Sequence, residues 1–216
     1  EPRAGHSMVL LSNGNILVIG GHTNTVESID PKSWNSQKLG TPMSDVRSKH
    51  STTVLANGDI LVIGGYTDLV DGRGRSNHIS YTGDLMSAST AQIKASFQLA
   101  IPRVEHSATL LSDGRVLIVG GYSQADGIST IEVIRPAQMS STISKMSLNI
   151  GRFGHSATLL PNGQILIAGG FRWGTKVNDS CVPSNGMASE ASSNKACTLG
   201  VKELELINPE TEEVTL

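Results

Sequence analysis

The chain repeats one polarity phrase four times. A segment of mixed polarity opening with His-Ser, at His6, His50, His106 and His155, runs into an Asn-Gly or Asp-Gly pair. Four largely apolar residues follow: Ile16–Ile19, Ile60–Ile63, Val116–Val119 and Ile165–Ala168. Each run closes on a glycine doublet, Gly20-Gly21, Gly64-Gly65, Gly120-Gly121 or Gly169-Gly170, starting fourteen residues after the histidine. Asn-Gly and Asp-Gly readily take the positive φ angles of a type I′ turn, whose twist matches antiparallel strands, so each copy predicts a β-hairpin. The second strand is apolar on consecutive residues. Both its faces therefore need cover, which a sheet packed between two like sheets supplies.

Behind each doublet come a connection of variable length and two weaker strand signals. They are Thr25–Pro31 and Ser33–Leu39 in the first copy, Ile131–Pro136 and Ile143–Leu148 in the third, and Glu203–Pro209 and Glu213–Leu216 in the fourth. In the second copy Asp84–Ala100 reads as two strands by analogy, with a short helix as the alternative. Four short antiparallel strands per unit, with 44, 56 and 49 residues between successive motif histidines, are the signature of a propeller blade. The expected fold is all-β with almost no helix: four four-stranded antiparallel blades near 3–46, 47–102, 103–151 and 152–216.

The Arg-x-x-His-Ser opening (Arg3, Arg47, Arg103 and Arg152), the hairpin and the doublet together resemble the Kelch repeat over essentially the whole chain. The family pattern adds an acidic or aromatic residue in the third strand, a place Glu27, Glu132 and Glu205 can take, and a tryptophan in the fourth, matched only by Trp34. The opening is more similar to secreted bacterial and fungal members, including the central domain of copper-radical galactose oxidases, than to intracellular adaptors. Kelch propellers usually close with about six or seven blades. Four blades then imply a segment of a larger propeller, a chain that pairs with another, or an unusually small ring. The start at a first strand and the finish at a fourth suit the first two.

Hydrophobic residues are 38% of the 216, and with glycine counted and tyrosine left out the apolar share is roughly 47%, the ordinary globular range. Whole-chain disorder is excluded. With 17 basic and 19 acidic residues the net charge is -2, too little to attract phosphate backbones or anionic lipid, so nucleic acid is not an expected partner. No apolar run nears the roughly 20 residues of a membrane span, and Glu1-Pro2-Arg3 does not open a signal segment, which reads as a processed or excised chain. Cys181 and Cys197, 16 apart in one Ser/Asn/Gly-rich stretch, point to a local disulfide and hence to an extracellular, cell-surface or periplasmic location. Two free thiols are the alternative. The stretch has no histidine to complete a zinc site, and it begins with a glycosylation sequon at Asn178.

Four arginines and four histidines could form a cationic or metal-binding ring. Identical residues in every blade more readily do identical structural work, with arginine bonding carbonyls at the start of the inner strand and histidine and serine satisfying backbone groups between blades. No metal or cofactor is expected. Function should sit where the copies differ. In an up-and-down blade the connections after the second and fourth strands emerge on one face, and those are the connections that vary in length. The residue after each doublet reads His22, Tyr66, Tyr122 and Phe171, with Arg172 and Trp173 beyond. The residue before each histidine, near the mouth of the central channel, reads Gly5, Lys49, Glu105 and Gly154. Aromatic rings with arginine suit a sugar face or a protein anchor. The segment Asp68, Asp71, Gly72, Arg73, Gly74 and Arg75 lacks calcium- or phosphate-loop spacing and reads as a solvated tip. Neither a nucleophile elbow nor a recognisable nucleophilic cysteine is present. The copper-radical oxidases need a cysteine crosslinked to tyrosine, and the tyrosines are only Tyr66, Tyr81 and Tyr122. The expectation is a non-enzymatic scaffold for a protein or carbohydrate ligand. Its rivals are a mutarotase using Glu105 as acid or base and a structural section of a large surface or assembly protein.

Overall fold

The computed structural model describes residues 2–39, 43–71, 74–123, 126–177, 180–183 and 196–216. Each copy folds as one four-stranded antiparallel sheet, paired in chain order. Blade 1 is Ser7–Leu10, Ile16–Ile19, Val26–Ile29 and Ser36–Leu39; blade 2 is Ser51–Val54, Ile60–Ile63, Thr82–Met86 and Ile93–Gln98. Blade 3 is Ser107–Leu110, Val116–Val119, Thr130–Arg135 and Ser140–Ser147; blade 4 is Ser156–Leu159, Ile165–Ala168, Glu205–Asn208 and Glu213–Thr215. Asp84–Ala100 thus supplies two strands. Among the described residues the helical structure is one 3-10 turn, Pro136–Gln138, and no helix is long and apolar enough to cross a membrane.

The hairpin turns differ from the type I′ expectation. In each, only the glycine (Gly14, Gly58, Gly114 or Gly163) has a positive φ, and the preceding Asn or Asp does not. Gly14 N–H donates to Leu11 O at 2.9 Å while Leu11 N–H donates to Asn15 O at 2.8 Å. This is a three-residue loop, a type I turn closed by a left-handed glycine. The Asn or Asp instead braces the turn, its Oδ1 accepting from the backbone N–H two residues on, at 3.0 Å for Asn13, Asn57 and Asp113 and 3.1 Å for Asn162. That side-chain mimic of a turn explains the residue choice. Trp34 also departs from its expected place. It occupies the left-handed position of the turn before the outer strand, with φ 59, as Ala91, Met139 and Glu212 do in the other blades. It is 76% exposed there.

Consecutive apolar residues in the second strands let blades 2 and 3 pack a neighbour on both faces, and blades 1 and 4 pack one on a single face. Leu17, Ile19 and Val26 pack against Ile60, Val62 and Met86 between blades 1 and 2. Leu61, Ile63 and Phe97 meet Val116, Ile118 and Ile134 in the next gap. Leu117, Val119, Ile131 and Met146 meet Ile165, Ile167 and Ile207 in the last.

The connections after the doublets carry structure of their own. Tyr66–Asp71 pairs with Gly74–Ile79, and Tyr122–Ser123 pairs with Asp126–Gly127. Phe171–Val177 pairs with both Ser180–Pro183 and Ala196–Gly200. A disulfide joins Cys181 to Cys197 across this small sheet, with Cα atoms 6.0 Å apart. The Gly72-Arg73 tip and the Asn178 sequon fall outside the described residues.

Candidate functional site

The repeated phrase builds the frame. Each motif arginine lies at the start of an inner strand, and its Nη1 donates to the carbonyl of the first doublet glycine: Gly20 at 2.7 Å, Gly64 at 2.9 Å, Gly120 at 2.9 Å and Gly169 at 3.2 Å. Its Nη2 reaches a third-strand carboxylate: Glu27 at 2.7 Å, Asp84 at 3.0 Å, Glu132 at 3.0 Å and Glu205 at 2.5 Å. Asp84 is the acid that sequence matching missed. It stands opposite Val62 as Glu27 stands opposite Val18, Glu132 opposite Ile118 and Glu205 opposite Ile167. Position along the third strand was the available signal. Ser44 and Ser96, donating to Asp84 at 2.7 and 2.6 Å, occupy its remaining acceptor sites. Burial pulls the Arg103 pKa down and the Glu132 carboxylate opposes that pull.

Three of the motif histidines bond serines across the seams. Nε2 of His50, His106 and His155 lies 2.8, 2.7 and 2.9 Å from Oγ of Ser7, Ser51 and Ser107, each in the preceding blade. Burial, reinforced by the adjacent motif arginine, lowers His50 and His155 to about 4 and His106 well below its ordinary value. These rings are therefore neutral at physiological pH, and they are committed to the frame together with the charged arginines.

The mouth uses the positions that vary. Gly5, Lys49, Glu105 and Gly154 all have left-handed backbones, with φ of 66, 54, 54 and 64. They form a hydrogen-bonded chain from blade to blade: Lys49 N–H to Gly5 O at 2.7 Å, Glu105 N–H to Lys49 O at 3.2 Å, and Gly154 N–H to Glu105 O at 2.9 Å. Lys49 and Glu105 are thereby neighbours. Lys49 Nζ donates to Glu105 Oε1 and lies 5.9 Å from the centroid of the Tyr66 ring. That hydrogen bond raises the Lys49 pKa, and burial raises that of the Tyr66 phenol.

Beside this pair sits a cluster of rings. Tyr122 is 5.8 Å from both Phe153 and Trp173, and Phe153 is 6.0 Å from Trp173 and 6.3 Å from Phe171. Backbone bridges from Val104 to Tyr122 and from Phe153 to Phe171 bring the connections against the inner-strand starts. Phe171 is 48% exposed, whereas Phe153 beneath it is 8% exposed. Phe153 was not singled out in the sequence, although it fills the place that reads Ala4, Ser48 and Val104 in the other copies. Phe171 and Trp173 share one face of their strand. Arg172 alternates to the other, opposite Leu199, and does not join the rings. The two groups meet at Gly154, where a Cβ would lie 3.6 Å from Glu105 Oε2 and 3.8 Å from Phe171 Cδ2.

Two cavities lie at the hairpin-turn end, between blades. One of about 630 Å³ is lined by Leu111, Asp113, Arg115, Leu159 and Asn162, and one of about 400 Å³ by Leu11, Asn13, Leu55 and Asn57. Both are open clefts. The ionic contact at the first, Arg115 to Asp113 at 2.6 Å, is internal to one turn, so the mouth is the stronger candidate.

A family model described as the KLHDC2/KLHL20/DRC7 Kelch-repeats domain matches residues 1–170. The chain belongs to the Kelch-repeat family. A solved structure titled "Structure of YjhT" is similar to this Kelch chain with a TM-score of 0.74 at 16% identity, over 99% of this chain and 70% of that one. No curated protein matches. In this Kelch protein the disulfide occupies Cys181 and Cys197, leaving neither free for the tyrosine crosslink of the copper-radical oxidases.

Proposed function

We propose that this Kelch chain is a non-enzymatic recognition scaffold that captures a protein or carbohydrate ligand on its mouth face. Tyr66, Lys49, Glu105, Tyr122, Phe171 and Trp173 supply the contacts, with Arg172 at the margin. The backbone of Lys49 and Glu105 carries this reading. Copies one and four hold glycine at that position, whereas copies two and three hold long charged side chains in the same left-handed conformation. Such a residue costs about 1–2 kcal/mol relative to glycine. A purely structural role would be served by glycine throughout. Charged side chains kept against that cost, beside a half-exposed ring, make an apolar anchor with an ionic rim. Glu105 accepts from the Lys49 ammonium, an engagement that suits a recognition contact better than the proton donor of a mutarotase.

The disulfide supports an oxidising location, outside the cell, on its surface or in a periplasm, in keeping with the secreted branch of the family. The outer faces of blades 1 and 4 receive further blades, from the same chain or another. Labelled protein on a glycan microarray and against a displayed library of secreted proteins tests the ligand assignment. Loss of one anchor commonly weakens an interface by about 2 kcal/mol, near 30-fold, so Phe171→Ala should reduce capture by about that much and Lys49→Ala, at the rim, by less. Undiminished capture by both variants removes the mouth as the site. Sugar anomerisation abolished by Glu105→Gln would assign the enzyme instead.

A further inference from the structure

The face opposite the mouth, where the hairpin turns lie, carries a departure between copies that the frame does not use. In the outer hairpin, the residue four before the left-handed position reads Asp30, Ser87, Arg135 and Asn208. Asp30 and Asn208 brace that turn, Oδ1 accepting from the N–H of Lys32 at 2.9 Å and of Glu210 at 3.0 Å. An arginine has no acceptor to offer, and Arg135 makes no such bond. Its exposed guanidinium reaches Thr142 Oγ1 at 3.2 Å, and among the described residues no carboxylate pairs with it. After the glycine of the inner hairpin the copies read Asn15, Asp59, Arg115 and Gln164. Blade 3 therefore places an arginine in both of its turns. Arg115 Nε donates to Asp113 at 2.6 Å, and its Nη groups bond no described residue.

The two arginines line one cleft of about 360 Å³, together with Asp113, Pro136 and Ala137. Through Gly114, Pro136 and Ala137 it adjoins a second cleft of about 440 Å³. Leu55, Leu85, Leu110, Pro136 and Met139 line this one, at the seam of blades 2 and 3. Seam packing stops short here, because Leu85, Leu110 and Met139 are only half-buried against the cluster beneath them. Blades stand on both sides of this seam, so the opening belongs to the seam itself. Met139 is held with a left-handed backbone, φ 49, and its unbranched thioether chain adapts to varied apolar shapes.

We propose that these adjoining clefts dock an extended segment of a partner protein that presents an acidic side chain beside an apolar one. The carboxylate sits between Arg115 and Arg135, and the apolar group enters the seam of blades 2 and 3. Charge complementarity selects the acid. Two guanidiniums there face one carboxylate of the chain's own, and the planar fork of arginine matches a carboxylate bidentately. The second cleft selects a protein segment, because a free inorganic anion would fill the first cleft and leave the apolar one empty of any partner. Residues two apart in an extended segment point the same way, roughly 6.6 Å from each other, which suits two clefts that share a wall. The site shares no residue with the mouth and is independent of what the mouth binds. With both faces occupied, the protein bridges two partners.

The test selects random linear peptides displayed on phage against the full chain, with counter-selection on the double variant Arg115→Ala, Arg135→Ala. Enriched peptides should carry Asp or Glu within two residues of Leu, Ile, Met or Phe. A synthetic, end-capped copy of the most enriched peptide should bind the full chain in fluorescence anisotropy, and more weakly as salt is raised. Arg135→Ala should weaken that binding roughly tenfold or more, and Arg135→Lys by less, since the charge stays and only the fork is lost. Ala137→Glu, in the shared wall, should repel the carboxylate and abolish binding. Arg135 and Ala137 are exposed, so these variants should melt as the parent does. Phe171→Ala, at the mouth, should bind the peptide undiminished. No enrichment, enriched peptides without an acid, or binding that survives the double variant overturns the proposal. So does a peptide that binds equally well after its apolar residue is replaced by Ser. Binding lost in Phe171→Ala and kept in Arg135→Ala assigns the peptide to the mouth, overturning this site while supporting that one.

Discussion

Two ion pairs, one within blade 3 and one from blade 2 to blade 3, separate scaffold from surface. Arg103 and Glu132 have no exposed side-chain area, and Lys49 and Glu105 are 51% and 27% exposed at the side chain. Arg103 also donates to the carbonyls of Gly120 and Thr130 at 2.9 and 3.2 Å, and Glu132 accepts from Ala100 N–H at 2.6 Å and from Ser141. A buried pair survives only when such bonds replace the water both ions have lost, so removing one partner strands the other. The solvated pair at the mouth has little to lose, because water takes over from whichever partner leaves. The first arrangement can therefore be repeated and can vary little. The second is free to be written once and to serve a ligand.

Arg103→Ala tests the comparison with the largest expected effect. Breaking a buried pair costs about 3–5 kcal/mol, which at roughly 2–4 °C per kcal/mol for a chain of this size lowers the melting temperature by roughly 6–20 °C. A loss of only a degree or two in a thermal scan would mean that the arginine is not a staple. The buried histidines come next. His50 titrates near 4 in the folded chain and near 6.5 when unfolded, so below pH 6.5 the unfolded chain takes up the proton first. Stability is complete above that pH and declines as pH falls from 6.5 toward 4, by on the order of 3 kcal/mol for this residue. Urea titrations of the protein and of His50→Asn at pH 7.5, 5.5 and 4.5 should show the variant with the shallower decline. Equal slopes would remove His50 as the cause.

Trp173→Ala should have an intermediate effect. The indole packs on Tyr122 and Phe153, and two such ring pairs contribute about 0.5–1.5 kcal/mol each beyond area burial. A fall of several degrees in melting temperature should accompany any loss of binding, which makes Phe171, the more exposed ring, the cleaner probe of the ligand. The smallest effect belongs to Lys49→Ala. An exposed pair contributes about 0.2–1 kcal/mol, so melting should shift by no more than about 2–3 °C. A larger drop would place Lys49 with the frame.

Much of the frame was readable as a period. His-Ser, Asn-Gly and Gly-Gly recur at fixed offsets because a hairpin of set length must end where the next blade comes close, and Gly64 shows the constraint directly, with Arg103 O 2.4 Å from where its Cβ would stand. The turn type was not readable. Asn-Gly is compatible with two turns, and the three-residue loop was selected by the strand register, in which Leu10 pairs with Ile16. The mouth was legible in part. Lys49 and Glu105 stood out as departures between copies, but Phe153 read as one more apolar residue beside a motif arginine until the Phe153–Phe171 bridge set it under an exposed ring.

The sequence by itself determined the local units: four hairpins, four staples and the alternation that gives each blade two faces. These depend on residues close in the chain or at constant spacing, where backbone geometry leaves few alternatives. Only the tertiary structure decided which unequal residues meet. Asp84 standing in for glutamate, each histidine reaching the serine of the blade before, and Arg172 turning away from the rings beside it all depend on how neighbouring sheets are offset. That offset is set by packing across seams, between residues 40 or more positions apart, and no local pattern encodes it.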